Sequence, residues 1–95
     1  MDQQQLIEFE GLTKICFSTK NKMMRAIFSL HGVQNMMLQN YELVHKAVLE
    51  KPALKTLVME CLVENDIEEQ RPAKMTVVQF LELLQSLRKR GLYVC

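Results

Sequence analysis

Hydrophobic positions recur with a helical period along almost the whole chain, and no segment reads as a strand. Phe9, Leu12, Ile15 and Cys16 fall on one side of a first helix predicted over about 8–18. A short second helix, about 22–30, presents Met23, Ile27 and Leu30, with Met24 and Phe28 alongside, and Gly32 breaks it. A third runs from about 33 to 48 with the stripe Val33, Met36, Met37, Tyr41, Val44 and Val48. Pro52 suits the first turn of a fourth helix, where its missing N–H has no intrahelical partner to lose. Leu54, Leu57, Val58, Cys61 and Leu62 then follow at offsets 0, +3, +4, +7 and +8, a single amphipathic face. The polar run 64–74 reads as a connection in which Arg71-Pro72 turns the chain. Thr76 and Gln79 stand at capping-box spacing ahead of a fifth helix, and Met75 is placed to staple onto Phe80. Val77, Phe80, Leu81, Leu84 and Leu87 form its core face, Gly91 is its natural stop, and 92–95 is left as a short extended tail. With no linker, low-complexity tract or internal repeat, the pattern predicts an all-α fold, one compact domain of about five short helices.

Composition leaves that picture intact. The chain has 95 residues, 48% hydrophobic and 24% charged, enough to bury a core without staples. Cys16, Cys61 and Cys95 are odd in number and match no metal or redox spacing. Cys16 and Cys61 lie on apolar faces, as buried reduced thiols of an intracellular protein would, and Cys95 reads as a free terminal thiol. No apolar run approaches the roughly 18 residues of a membrane span, and Met-Asp-Gln-Gln-Gln is no signal peptide, so a soluble intracellular chain with no membrane partner is expected.

Little here points to catalysis. Gly11, Gly32 and Gly91 are too far apart to make a phosphate-cradling loop or a dinucleotide fingerprint. His31 and His45 have no carboxylate or cysteine at ligand spacing and read as structural or surface residues. Glu60, Glu64, Asp66, Glu68 and Glu69 read as a solvated helix end and loop. Met23, Met24, Met36 and Met37 fill a core at helical spacing more readily than they build an adaptable partner groove. On its own residues the chain is no enzyme.

Charge is what rises above this background. Net charge is only +1, so any polyanion binding must rest on local patches. Residues 11–41 carry four cations and no anion, whereas 60–69 carry five anions and no cation. Lys20, Lys22 and Arg25 sit between the aromatic anchors Phe17 and Phe28, with a turn expected at Ser18-Thr-Lys-Asn21 and no acid between Glu10 and Glu42 to neutralise them. The bland reading is a solvated face; the sharper one is the edge of a polyanion-facing surface. Arg88-Lys89-Arg90 closes the fifth helix, where it complements the negative end of the helix dipole.

The same residues resemble a known family. Phe9-Glu10-Gly11-Leu12-Thr13-Lys14-Ile15-Cys16-Phe17 is similar to the opening helix of the C-terminal helical domain of ribosomal RNA adenine dimethyltransferases, the eukaryotic members in particular. Lys20-Asn21-Lys22 resembles that family's basic element, and Val33-Gln34 and Asn40-Tyr41 fall at similar positions in the next helix. Arg71-Pro72-Ala73-Lys74-Met75 followed by Phe80-Leu81-Glu82-Leu83-Leu84 is similar to its arginine turn and final helix, and Gly91-Leu92-Tyr93 to its closing segment. The likeness runs from about Leu6 to Val94, and it is the order and spacing of the motifs together that carry it. Phe9 stands where the family commonly has Trp, Met23-Met24 where it has Thr or Leu, and 45–70 matches poorly.

What the resemblance implies is specific. Whole family members bind S-adenosylmethionine in an N-terminal Rossmann-like domain and methylate N6 of two adjacent adenosines near the 3′ end of small-subunit ribosomal RNA. Neither the target-base motif nor a cofactor loop occurs in this sequence, so this chain is expected to hold no cofactor and to be the C-terminal part of a longer protein. Its implied partners are small-subunit rRNA, the pre-ribosomal particle and its own methyltransferase domain, and its implied location is the nucleolus. Lys20, Lys22 and Arg25 are the candidate phosphate contacts, with Lys14 in support. Arg71 is either a further contact or a structural arginine that hydrogen-bonds helix-end carbonyls. Two other readings stay open: a free-standing helical adaptor that grips a partner helix with its Met-rich face, and a DNA-binding helix-turn-helix protein, for which no helix offers base-reading side chains.

Overall fold

A computed structural model describes residues 3–19 and 21–94, and its regular secondary structure is all helical. Five α-helices follow one another: α1 (Gln3–Ser18), α2 (Met24–Ile27), α3 (His31–His45), α4 (Lys51–Glu64) and α5 (Val77–Lys89), with a 3-10 turn at Pro72–Lys74 before the last. Among the described residues there is no strand. The all-α expectation is met, and α4 and α5 lie at its centre: α1 packs on α5, α3 and α2 on α4, and α4 on α5.

Helix ends follow from local chemistry. At the start of α5, Gln79 N–H donates to Thr76 Oγ1 at 3.2 Å and Thr76 N–H donates to Gln79 Oε1 at 2.9 Å, the reciprocal capping box the spacing predicts. At its end Gly91 takes φ +76; its N–H donates to Arg88 C=O at 2.9 Å, and Leu92 N–H to Leu87 C=O at 2.9 Å. This is a Schellman stop, with Leu92 turned into the core. α4 ends the same way without a glycine: Asp66, at φ 56, donates to Val63 C=O at 3.0 Å, and Ile67 N–H to Leu62 C=O at 3.0 Å.

Three boundaries differ from the sequence reading. α1 starts at Gln3 rather than near residue 8. α2 is a single turn, and α3 stops at His45 because Lys46 turns left-handed at φ 53. The expected hydrophobic stripe therefore runs past the helix at Val48, which is 79% exposed, and Val44 in the last turn is 52% exposed.

The core draws on every helix: Leu12 and Cys16 of α1, Met24 and Ile27 of α2, Met37 of α3, Leu54, Val58, Cys61 and Leu62 of α4, and Phe80, Leu83, Leu84 and Leu87 of α5. The segment after α5 is no loose tail. Leu92 and Val94 are buried, Asn40 Nδ2 donates to Tyr93 C=O at 3.2 Å, and His45 Nε2 lies 2.8 Å from Gly91 C=O. The run 64–74, expected to be a mere connection, likewise buries Ile67 and Pro72.

Candidate polyanion-facing edge

The basic loop begins where α1 runs out. Thr19 N–H reaches back to Cys16 C=O at 3.3 Å, and Lys22 N–H closes a turn on Thr19 C=O at 3.0 Å, one residue later than the expected Ser18–Asn21 turn. The chain then extends through Met23 (φ −67, ψ 153) into α2, which has no side-chain cap. Its orphan first-turn amides are satisfied from elsewhere. Met24 N–H donates to Gln70 C=O at 2.8 Å and Arg25 N–H to Glu68 C=O at 3.1 Å. Arg71 adds a third link, its Nε–H donating to Asn21 C=O at 2.9 Å.

Both aromatic anchors are in place. Phe28 is buried, and Phe17, though half exposed, packs its ring 5.7 Å from that of Phe80. Between them Lys22 and Arg25 stand exposed, as do Lys14 on α1 and Arg71 across the seam. Lys20 lies outside the described residues, and so does Cys95. None of Lys14, Lys22 and Arg25 is in an ion pair with another described residue. The Asn21 bond brings Arg71 to the loop that carries Lys22 and leads into α2 with Arg25; no hydrogen bond or ion pair among the described residues ties Lys14 to it.

One expectation about the acidic run is corrected here. The seam sets the backbone of Glu68 against that of Arg25. Glu68 is also no fully solvated loop residue: its Oε2 is buried and lacks a hydrogen-bond partner. The second basic run has a further task beside the helix end. Arg88 Nε sits 3.3 Å from Glu8 Oε2, and Arg90 Nη1 donates to Glu64 Oε2 at 3.0 Å and to Ser86 C=O at 3.3 Å. Two of these three cations hold helices together, which leaves Lys89 the exposed one. Sequence reasoning missed both pairs because Glu8 and Glu64 are remote along the chain.

The remaining chemistry is structural. Cys16 is buried, which pushes its thiol up to about 12, and burial also raises that of Cys61 against the pull of Arg90. Met24 and Met37 are buried and Met23 and Met36 partly so, the core-filling role rather than a partner groove. His31 accepts from Lys51 Nζ at 3.0 Å at its Nδ1, and His45 serves the closing segment. Among the described residues no group of three or more His, Cys, Asp and Glu side chains could hold a metal ion, and no helix is long and apolar enough to cross a membrane.

Fold and edge together define an all-α domain that displays cations on a loop braced by a distant segment. No family model matches the chain. It is 32% identical over 94 residues to a probable dimethyladenosine transferase of Dictyostelium discoideum, and 33% identical over 91 residues to one of Caenorhabditis elegans. Each match takes in 92% of this chain but spans only 30% of the relative's length. The crystal structure of a dimethyladenosine transferase from Plasmodium falciparum superposes with a TM-score of 0.82 at 31% identity, over 95% of this chain and 34% of that one. The chain belongs to the dimethyladenosine transferase family, as the counterpart of the helical C-terminal part of those proteins.

Proposed function

We propose that this domain positions RNA for a small-subunit ribosomal RNA dimethyladenosine transferase. The observation that carries the reading is the match to dimethyladenosine transferases along more than nine-tenths of the chain, in sequence and in fold. The methyl donor, S-adenosylmethionine, would be bound by the methyltransferase portion that makes up the rest of such proteins, and it would supply the methyl groups. This chain's own task is mechanical. An adenine N6 must leave its stacked environment to be reached, so the catalytic portion has to be held at one place on a large RNA. Phosphate contacts fix that register without reading bases. Lys22 and Arg25, exposed and outside any ion pair with another described residue, suit the role, with Lys20, Lys14 and Arg71 completing the candidate set. In a eukaryotic cell, work on a pre-ribosomal particle would place the protein in the nucleolus.

Binding to a fluorescein-labelled hairpin from the 3′ end of small-subunit rRNA, followed by anisotropy across a salt series, tests this. Each of Lys22→Gln and Arg25→Gln should weaken binding and reduce the slope of log K against log salt by about 0.7–0.9, one phosphate contact each. Melting temperatures should stay put, because both side chains are exposed. Unchanged affinity and slope in the double variant would sink the assignment of these residues.

A further inference from the structure

A four-residue helix cannot hold its own direction, since the first helical turn fixes several dihedrals for one hydrogen bond. α2 is such a helix, and the outward course of Lys22 and Arg25 is therefore set by what braces it. Among the described residues three hydrogen bonds hold its N-terminal side, from Met24 to Gln70, from Arg25 to Glu68 and from Arg71 to Asn21, while Gln34 Nε2–H donates to Phe28 C=O at 3.3 Å at its other end. The first two act on α2 itself. Of the three at the N-terminal side, the third alone reaches the turn before α2, and it alone comes from a side chain. Arg71 spends its Nε on that bond at 2.9 Å, and the planar guanidinium fixes the direction of the contact in a way a rotatable ammonium does not.

We propose that Arg71 is a positioning residue of the polyanion edge: it clamps the turn that presents Lys22 and leads into α2, which carries Arg25, and RNA affinity depends on it through that geometry. The inference rests on the RNA-facing reading of the edge. It also decides between the two roles open to Arg71 from sequence, in favour of a carbonyl-binding arginine whose carbonyl belongs to the basic loop rather than to a helix end.

The informative variant is Arg71→Lys, which keeps the charge and loses the guanidinium. Asn21→Ala, which keeps the accepting carbonyl, is the control. Amide hydrogen exchange is followed by NMR in the RNA-free 95-residue chain, with Leu84 in α5 as the internal reference. In Arg71→Lys the Met24 and Arg25 amides should exchange about fivefold faster, the effect of one lost hydrogen bond. Leu84 should be unaffected, and so should every amide in the control. Affinity for the rRNA hairpin should fall by a similar factor with its salt slope unchanged, because the number of phosphates met is the same.

Unchanged exchange at Met24 and Arg25, or equal acceleration at Leu84, overturns the clamp. Faster exchange with undiminished affinity overturns the positioning role. If the wild-type chain shows no salt-dependent RNA binding while Arg71→Lys still loosens the loop, the functional reading falls and the clamp stands.

Discussion

Glu8 lies fully buried on α1, and its ion-pair partner on α5, Arg88, keeps about a third of its side chain in solvent (35%). At 3.3 Å the charges are paired, yet neither carboxylate oxygen receives a well-aligned hydrogen bond. A buried pair of this kind adds little net stability, because desolvation offsets most of the attraction, but removing one partner strands the other. Arg88→Met should therefore cost about 3 kcal/mol, at the low end for a buried pair since Arg88 is partly wet. The double variant Glu8→Leu, Arg88→Met should recover most of that loss. Urea denaturation of the single and double variants checks this, and a double variant no more stable than Arg88→Met would show that the carboxylate itself is not the liability. The arrangement gives the closing basic run a role beyond the helix dipole that its sequence does not announce. Nothing local marks Arg88 as already engaged, since its partner is 80 residues earlier.

The ends of α4 and α5 use one device with different residues, which makes opposite predictions for similar substitutions. Asp66 and Gly91 occupy the same position in two Schellman stops, at φ 56 and φ 76. Aspartate pays a steric penalty there that glycine does not, so Asp66→Gly should stabilise the domain by about 0.5–1 kcal/mol. At Gly91 the reverse holds with an added clash, because a Cβ would come within 2.8 Å of His45 Nε2. Gly91→Ala should cost about 2 kcal/mol, the left-handed penalty plus displacement of the imidazole that bonds Gly91 C=O. Thermal melts of both variants give the comparison, and a Gly91→Ala protein as stable as wild type would refute the contact. Legibility divides along the same line. Thr76, Gln79 and Gly91 announced their helix ends because the residue types are specific to the geometry. Asp66 and Lys46 did not, since left-handed turns at such residues carry no marker. Where apolar periodicity continued past the true end of α3, through Val48, the pattern outran the helix.

On the scale of the whole chain, the contacts that shape both the fold and its edge are long-range. Arg71 meets Asn21 across 50 residues, Tyr93 meets Asn40 across 53 and Gly91 meets His45 across 46. Helical periodicity found all five helices well enough to place a core, because each stripe is a local property of its own helix. It could not show that 67–71 braces the basic loop or that 91–94 closes the far side, because neither segment is helical and each owes its course to a distant partner. Leu92 and Val48 test that distinction. Both look like apolar residues at the margin of a helix, but Leu92 is fully buried whereas Val48 is 79% exposed. Leu92→Ala should cost about 3 kcal/mol, the loss expected for a core leucine, whereas Val48→Ala should change stability by less than about 0.5 kcal/mol. For a domain of this length, whose total stability is roughly 5–14 kcal/mol, the first is a large fraction and should lower the melting temperature by at least about 12 °C. Paired urea titrations decide it. Equal losses in the two variants would mean that 91–94 is not docked, and Leu92 could then no longer be counted in the core.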